Sequence, residues 1–424
     1  MGKDWWWKHL FRNGQVLDLT DTELTSLKGI KLPQNLQELY LSGTKLTSLE
    51  GVDLPQGLKW LSIGETELTS LDGVCLPQGL QQLVLNKSKL TSLKGIKLPE
   101  GLQQLVLSNT ELTNLEGVDL PWRLCQLDLS SSKLISLRGI TLPQRLQYLN
   151  LSGTAIKSLE GVSLPHELLE LDMIDTELIS LKGITLPRGL QRLYLGGTKL
   201  ESMEGVILPQ GLQYLSLTCT ELTSLEGVIL PEGLKWLALS GAAKLISMED
   251  IALPQGLQCL YLADTALTSL PESIRELKGL QVLDLSWMNL TDLPNWLPEL
   301  GLPFTRSDTH HGILLNDTTV EGVDMSIFDQ SQEDILRWFE ARKKQSETPL
   351  NEIKVVFLGS PYFLETAESS STMIFFTRWG LERISSRSSI SSSERAFFST
   401  TEKSLSRDST SMPTSSSSWM MIAT

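Results

Sequence analysis

The chain has 424 residues, of which 41% are hydrophobic and 20% are charged, so it carries enough apolar material for a large core. It has 36 Lys and Arg against 50 Asp and Glu, which gives a formal net charge of -14. This acidic balance argues against a protein that wraps nucleic acid or adheres to acidic lipid. The four cysteines show no spacing typical of a zinc site or a disulfide framework, and no long apolar run occurs. We therefore expect a cytoplasmic protein without a membrane span.

Residues 1–14 are predicted to form an N-terminal cap. They contain three consecutive tryptophans, Trp5 to Trp7, followed by Leu10 and Phe11. Aromatic side chains also gather at membrane interfaces, so a membrane contact is the alternative. We prefer the cap, because the first unit of a stacked array would otherwise leave its leucines in water.

Residues 15–300 consist of one 22-residue sequence repeated with small changes. The copy at residues 39–60 reads LYLSGTKLTSLEGVDLPQGLKW. A proline recurs at the same place in each copy from Pro33 to Pro231, and then at Pro254 after one inserted residue. About thirteen such units fit into this range, and a fixed period of this length predicts a solenoid of stacked units.

Each unit divides into a strand and a return path. The alternation of Leu36, Leu39 and Leu41 places leucines on one side of a short strand, whereas the second half of the unit has Gly and Pro at fixed offsets and is too interrupted for a regular helix. No unit can cover its own leucines, so the strands must pair in parallel, about 4.8 Å apart. The expected fold class is an α/β solenoid with a parallel sheet on its concave side and a mostly non-helical convex side, followed by a short helical linker and a disordered tail.

The pattern Leu-x-x-Leu-x-Leu-x-x-[Thr/Asn]-x-Leu resembles the leucine-rich repeat and covers about two thirds of the chain. The resemblance implies an arc of units that binds a partner on its concave face. One position departs from the family's usual Asn, and we expect its hydroxyls to close the same turn with fewer hydrogen bonds. The residues at this position are Thr22, Thr44, Thr66, Ser88, Thr110, Ser132, Thr154, Thr176, Thr198, Thr220 and Thr265.

The strand residues that face away from the core are where the sequence can specify a partner. Exposed aromatic side chains beside charged ones have the composition of an interface hot spot. The candidate partner-binding residues are Tyr148, Asp172, Arg192, Tyr194, Tyr214, Trp236 and Tyr261. The alternative is that these aromatic rings merely cover the backbone of the sheet.

The predicted partner is a protein on the concave face, with no nucleic acid, no membrane and no small-molecule cofactor. None of the four histidines lies near a cysteine or an acidic pair in metal-ligand spacing, and no serine lies in a nucleophile-elbow motif. No catalytic, cofactor-binding or metal-binding residue can be named, so we expect a non-enzymatic protein.

Residues 301–350 lose the repeat and are predicted to form a linker with a helix from Ser331 to about Lys344, because Ser331 and Asp334 resemble a capping box. Residues 351–365 begin with an apolar run, Ile353 to Gly359, that predicts a strand. The segment from Phe328 to Gly359 is similar to the linker and first strand of the ROCO family, in which a Ras-like GTPase domain follows leucine-rich repeats. The resemblance implies a phosphate-binding loop next, but residues 360–366 contain neither the second Gly nor the Lys of that loop.

The last segment, residues 366–424, is rich in serine and has no apolar period, which is the composition of a disordered tail. One interpretation is a shortened relative of a ROCO protein, continued after the first strand by sequence of unrelated origin. The alternative is a genuine Ser/Arg tail that is open to phosphorylation.

Two functions follow from these features. The preferred one is a non-enzymatic scaffold that binds a protein on its concave strand face. The other is a truncated relative of a ROCO-type signalling GTPase that lacks its phosphate-binding loop, and guanine-nucleotide binding would separate the two.

Overall fold

The computed structural model describes residues 11–12, 14–249, 251–306, 311–347, 355–357 and 421–423. Three predicted segments lie largely outside the described residues. They are the N-terminal cap with Trp5 to Trp7, the loop after Gly359, and the serine-rich tail, of which only Met421–Ala423 is described. The domain boundaries also stay predictions. The chain divides into two compact units, Met1–Glu340 and Ala341–Thr424.

A parallel sheet organises the first unit. It begins with Phe11–Arg12 (β1), which runs antiparallel to Val16–Asp18 (β2). Twelve strands of three residues follow, each parallel to its predecessor: Glu38–Tyr40 (β3), Trp60–Ser62 (β4), Gln82–Val84 (β5), Gln104–Val106 (β6), Gln126–Asp128 (β7), Tyr148–Asn150 (β8), Glu170–Asp172 (β9), Arg192–Tyr194 (β10), Tyr214–Ser216 (β11), Trp236–Ala238 (β12), Cys259–Tyr261 (β13) and Val282–Asp284 (β14). Equivalent residues of successive units face each other, as in the pairing of Leu39 with Leu61. The predicted parallel solenoid of 22-residue units is confirmed.

The core lies on one side of this sheet. The central leucine of every strand from β2 to β14 is at most 1% exposed, and these leucines belong to one continuous cluster that runs from Leu17 to Phe339. Within one unit, Leu39, Leu41, Leu46 and Leu49 are each 0% exposed. A 22-residue unit cannot bury this much apolar surface alone, so contacts with the units on both sides offset the cost of ordering it.

The return paths contain turns and extended backbone rather than helix. The described residues between β2 and β14 contain one short helix, the 3-10 helix Glu272–Glu276 that follows Pro271. The turn after each strand places one residue in the left-handed region, for example Gly43 with φ 69° and Ser131 with φ 52°. Non-glycine residues occupy this position in most units although the conformation costs about 1 to 2 kcal/mol, so core packing outweighs local backbone preference here.

The hydroxyl position of the repeat closes its own turn, as predicted. Thr44 Oγ1 donates to the Leu41 carbonyl oxygen at 2.7 Å, and Thr110 Oγ1 donates to the Leu107 carbonyl oxygen at 2.8 Å. The same hydrogen bond, always to the residue three positions earlier, recurs in all eleven units that have this Thr or Ser. Ten of these side chains are buried, so the bond satisfies a hydroxyl that water cannot reach.

The sheet continues past residue 300 in a less regular form. Asn289–Leu290 (β15) pairs with Thr319–Val320 (β18), while Phe304–Thr305 (β16) and Gly312–Leu314 (β17) extend the main sheet beyond β14. Two further 3-10 helices lie in this region, Leu297–Leu300 and Met325–Asp329. Ile313 takes the place of the strand leucine, opposite Leu283, which is why the solenoid core extends without the Leu-x-Leu sequence.

The predicted helix is present as Gln332–Glu347 (α1), with Ser331 before it. The Ser331 hydroxyl accepts a hydrogen bond from the Asp334 backbone N–H at 3.3 Å. Phe339 stacks on Phe304 with ring centroids 5.2 Å apart, and Ile335 is fully buried. The first turns of the helix therefore cover the leucines at the C-terminal end of the solenoid. Beyond it, Val355–Phe357 (β19) pairs antiparallel with Met421–Ala423 (β20).

Candidate functional site

The first and third residues of each three-residue strand point away from the leucine core, because side chains alternate along a strand. We call the surface that these residues form on β2 to β14 the open face. Its residues stand in two columns, since every strand pairs in register with the next. The columns differ from unit to unit, whereas the buried positions repeat.

Four aromatic rings form a continuous row across strands β10 to β13 of the open face. Ring centroids are 4.9 Å apart between Tyr194 and Tyr214, 5.6 Å between Tyr214 and Trp236, and 5.6 Å between Trp236 and Tyr261. Trp236 is 38% exposed. We call these four residues the ring row; it presents one apolar strip to solvent with polar hydroxyl and indole groups along it.

Small residues in the second column explain why the rings meet. Tyr194 and Tyr261 stand in that column, and the register places Ser216 and Ala238 between them. Ser216 and Ala238 are only 5% and 7% exposed although they lie on the open face. The rings of the first column therefore lean over these small side chains and close the gap between the two tyrosines.

The other three predicted site residues make local contacts: Tyr148 and Asp172 lie on strands before the ring row, and Arg192 lies on its first strand, β10. Arg192 Nη1 is 3.3 Å from Glu170 Oε2 on the neighbouring strand. Asp172 Oδ1 accepts the Ile174 backbone N–H at 2.9 Å, which closes the turn after β9. Tyr148, on β8, is separated from the ring row by strand β9, and its hydroxyl accepts a hydrogen bond from Asn150. The structure thus brings four of the seven candidates into direct contact.

A second aromatic pair, which is not among the residues predicted from the sequence, lies on the same face. Tyr40 and Trp60 have ring centroids 5.9 Å apart, and Ser62, the small residue beside Trp60 on β4, is 8% exposed. The Tyr40 hydroxyl donates to Glu38 Oε2 at 2.9 Å. The signal was present in the sequence, since an aromatic residue followed two positions later by Ser or Ala occurs in β4, β11 and β12.

The open face is acidic. The two columns of β2 to β14 contain one basic residue, Arg192, and six carboxylates: Asp18, Glu38, Asp128, Glu170, Asp172 and Asp284. Burial raises the pKa of Asp172 above its ordinary value, and Glu170 and Asp128 act in the same direction. Burial also raises the pKa of Tyr261 to about 12, with Cys259 adding to the effect. The excess of carboxylates over basic residues, and not these pKa shifts, makes the face suited to a positively charged ligand.

The described residues contain no group of three or more His, Cys, Asp or Glu side chains placed to hold a metal ion. Among the helices of the described part of the chain, none is both long and apolar enough to cross a membrane. All four cysteines are free thiols, and Cys259 is the buried one, packed against Tyr261.

Comparison with known proteins identifies the fold. The chain matches no protein-family model and none of the curated proteins. Among solved structures it is similar to a leucine-rich repeat protein from Leptospira interrogans, with 26% identity and a TM-score of 0.56 over 77% of this chain and 82% of that protein. It is also similar to YopM from Yersinia enterocolitica, with 28% identity and a TM-score of 0.52 over 72% of this chain.

The chain spans 65% of the length of the Yersinia enterocolitica protein. An internalin from Listeria monocytogenes is 16% identical, with a TM-score of 0.52 over 73% of this chain and 87% of that protein, and shows the fold alone. These similar structures are leucine-rich repeat proteins, and the solenoid described above has the leucine-rich repeat fold. None of the three is a ROCO protein, so the similarity to that family remains a sequence-based hypothesis.

Proposed function

We propose that the protein is a non-enzymatic scaffold that binds a protein partner through the ring row on its open face, which we predict to be the concave side. The observation that carries the proposal is the unbroken contact of the four rings in the ring row, over buried Ser216 and Ala238. Aromatic side chains that are already fixed by their neighbours lose little conformational freedom on binding.

The partner segment is basic as well as apolar. Glu170 and Asp172 lie at one end of the ring row, and Asp284 is in register with Tyr261 at the other. A Lys or Arg side chain gains both from these carboxylates and from the face of an aromatic ring. Tyr148 and Arg192 belong to the proposed surface as neighbours that limit how the partner lies.

Panning of a displayed random-peptide library against the full chain tests the function. We expect the selected peptides to be enriched in Lys and Arg beside apolar residues, and to bind Y214A/W236A about 30-fold more weakly, the size of a hot-spot loss. Y40A/W60A is the matched control, because it removes the same two residue types from the same face and should bind as the wild type does. Equal loss in both variants, or selection without basic residues, would contradict the proposal.

The free cysteines support a cytoplasmic setting, which we propose for this scaffold. Mass spectrometry of the unreduced native protein tests it. A native cross-link between Cys75 and Cys125, or between Cys219 and Cys259, would contradict it.

The alternative function is that of a truncated ROCO relative. Its support is the similarity of residues 328–359 to the ROCO linker and first strand, together with the strand that the structure has at Val355–Phe357. On this hypothesis the repeats would sense a ligand for a GTPase that this chain lacks. Direct measurement of GTP binding to the full chain separates the two functions, since micromolar affinity would favour the alternative.

A further inference from the structure

A tryptophan and two arginines form a cluster on the edge of the solenoid, away from the ring row. Trp122 follows the repeat proline of its unit and is 53% exposed. The guanidinium Cζ of Arg123 lies 4.9 Å from the centroid of the Trp122 ring, and that of Arg145, one unit later, lies 5.7 Å from it. One exposed ring therefore holds two guanidinium groups.

This cluster is a local departure from the repeat. The position of Arg123 and Arg145 is glycine in most other units, including Gly79, Gly101 and Gly189. None of these three has a left-handed backbone, and an added Cβ would make ordinary contacts at Gly79 (3.6 Å) and Gly189 (3.7 Å) but a tight one, 3.0 Å from a backbone oxygen, at Gly101. The fold thus tolerates a side chain at this position without requiring an arginine, so packing does not account for the two that are present.

The two guanidinium groups lack an acidic partner. Among the described residues, no carboxylate lies within 4.0 Å of Arg123 or Arg145, whereas Lys133, between them in sequence, pairs with Glu111. The two guanidinium charges lie close to the same ring, so an anion bound beside that ring is attracted by both. Each guanidinium also offers a planar set of donors that matches a carboxylate.

We propose that Trp122, Arg123 and Arg145 form a binding site for a carboxylate-bearing segment of a protein partner. The carboxylates accept from the two guanidinium groups, and an apolar part of the segment covers the exposed indole. A nucleic acid fits less well, because its phosphates need a longer basic track than two arginines provide. This site contains none of the ring-row residues, so the proposal for it does not depend on the proposed function.

The test measures the anisotropy of a fluorescently labelled oligoglutamate peptide titrated with the full chain, with oligoglutamine of equal length as the neutral probe. We expect R123Q/R145Q to weaken oligoglutamate binding about tenfold, the loss of two exposed charge-assisted contacts. The matched control, R138Q/R188Q, removes the same charge from two other exposed arginines and should leave binding unchanged. We also expect W122A to weaken binding, because the guanidinium groups lose the ring that holds them together.

Three results would overturn the proposal: unchanged binding by R123Q/R145Q, equal loss in R138Q/R188Q, or oligoglutamine binding as tightly as oligoglutamate. The last two would mean that general charge or backbone contact is responsible. Single-stranded DNA added as a competitor tests whether the site binds nucleic acid in place of a carboxylate-bearing segment. Tighter binding of DNA than of oligoglutamate, dependent on Arg123 and Arg145, would assign the site to nucleic acid instead.

Discussion

Replacement of Thr110 by valine tests the hydrogen bond that recurs in almost every unit. The side chain is 3% exposed, and its hydroxyl donates to the Leu107 carbonyl oxygen at 2.8 Å. Valine keeps the shape but removes the donor, and the loss of a partner for a buried polar group costs about 1 to 3 kcal/mol. Serine, which both neighbouring units have at this position as Ser88 and Ser132, keeps the donor and loses one methyl group, worth about 0.8 kcal/mol.

The free energy of unfolding is measured by urea denaturation followed by circular dichroism. We expect T110V to lose about 1 to 2 kcal/mol and T110S to lose less, with the slope of the transition unchanged. T141V makes the same chemical change at an exposed threonine and should stay within about 0.5 kcal/mol of the wild type. A T110V protein as stable as the wild type, or a T110S protein less stable than T110V, would refute the role given to this hydroxyl.

Three further predictions concern stability. L127A removes a fully buried strand leucine and should lower the free energy of unfolding by about 2 to 5 kcal/mol; a loss below 1 kcal/mol would contradict the packing of the core. At the left-handed position, S131G should gain about 0.5 to 1 kcal/mol while G153A should lose at least about 1 kcal/mol in the same urea assay, and equal signs would argue against the backbone assignment. The raised pKa of Asp172 means that its charge opposes folding above that pKa, and that stability rises as the pH falls through it. D172N should therefore raise the melting temperature at neutral pH and lose this advantage in acid, because Asn150 already makes the same turn contact one unit earlier; a lower melting temperature for D172N would contradict this.

The repeat explains why so much of the fold could be predicted. The 22-residue spacing of Leu39, Leu61 and Leu83 fixes both the strand positions and their register, because only in-register stacking buries every leucine. The same reasoning identified the turn-closing hydroxyls. Beyond residue 300 the leucine pattern ends, and the pairing of Gly312–Leu314 with the sheet depends on tertiary contacts that no local pattern in the chain reveals.

The candidate site could be predicted only in part, since a list of exposed positions does not say which side chains touch. Tyr194 and Tyr214 stand in different columns, and they meet because Ser216 leaves room for a ring to lean over it. The contact between Arg145 and Trp122 escaped prediction for a related reason. Both lie at an edge position outside the strand columns, and their proximity depends on the stacking of two units.

Repetition creates an ambiguity for any ligand that lies along the ring row. Neighbouring units offer nearly equivalent binding positions. With Tyr214 and Trp236 alone, a bound peptide could therefore shift along the ring row by one unit. The two ends of the row differ, however, with the Arg192–Glu170 pair at one end and Asp284 at the other. Because the two ends carry different charges, they distinguish one end of the ring row from the other. A repetitive solenoid can in this way bind its ligand in a single register and orientation.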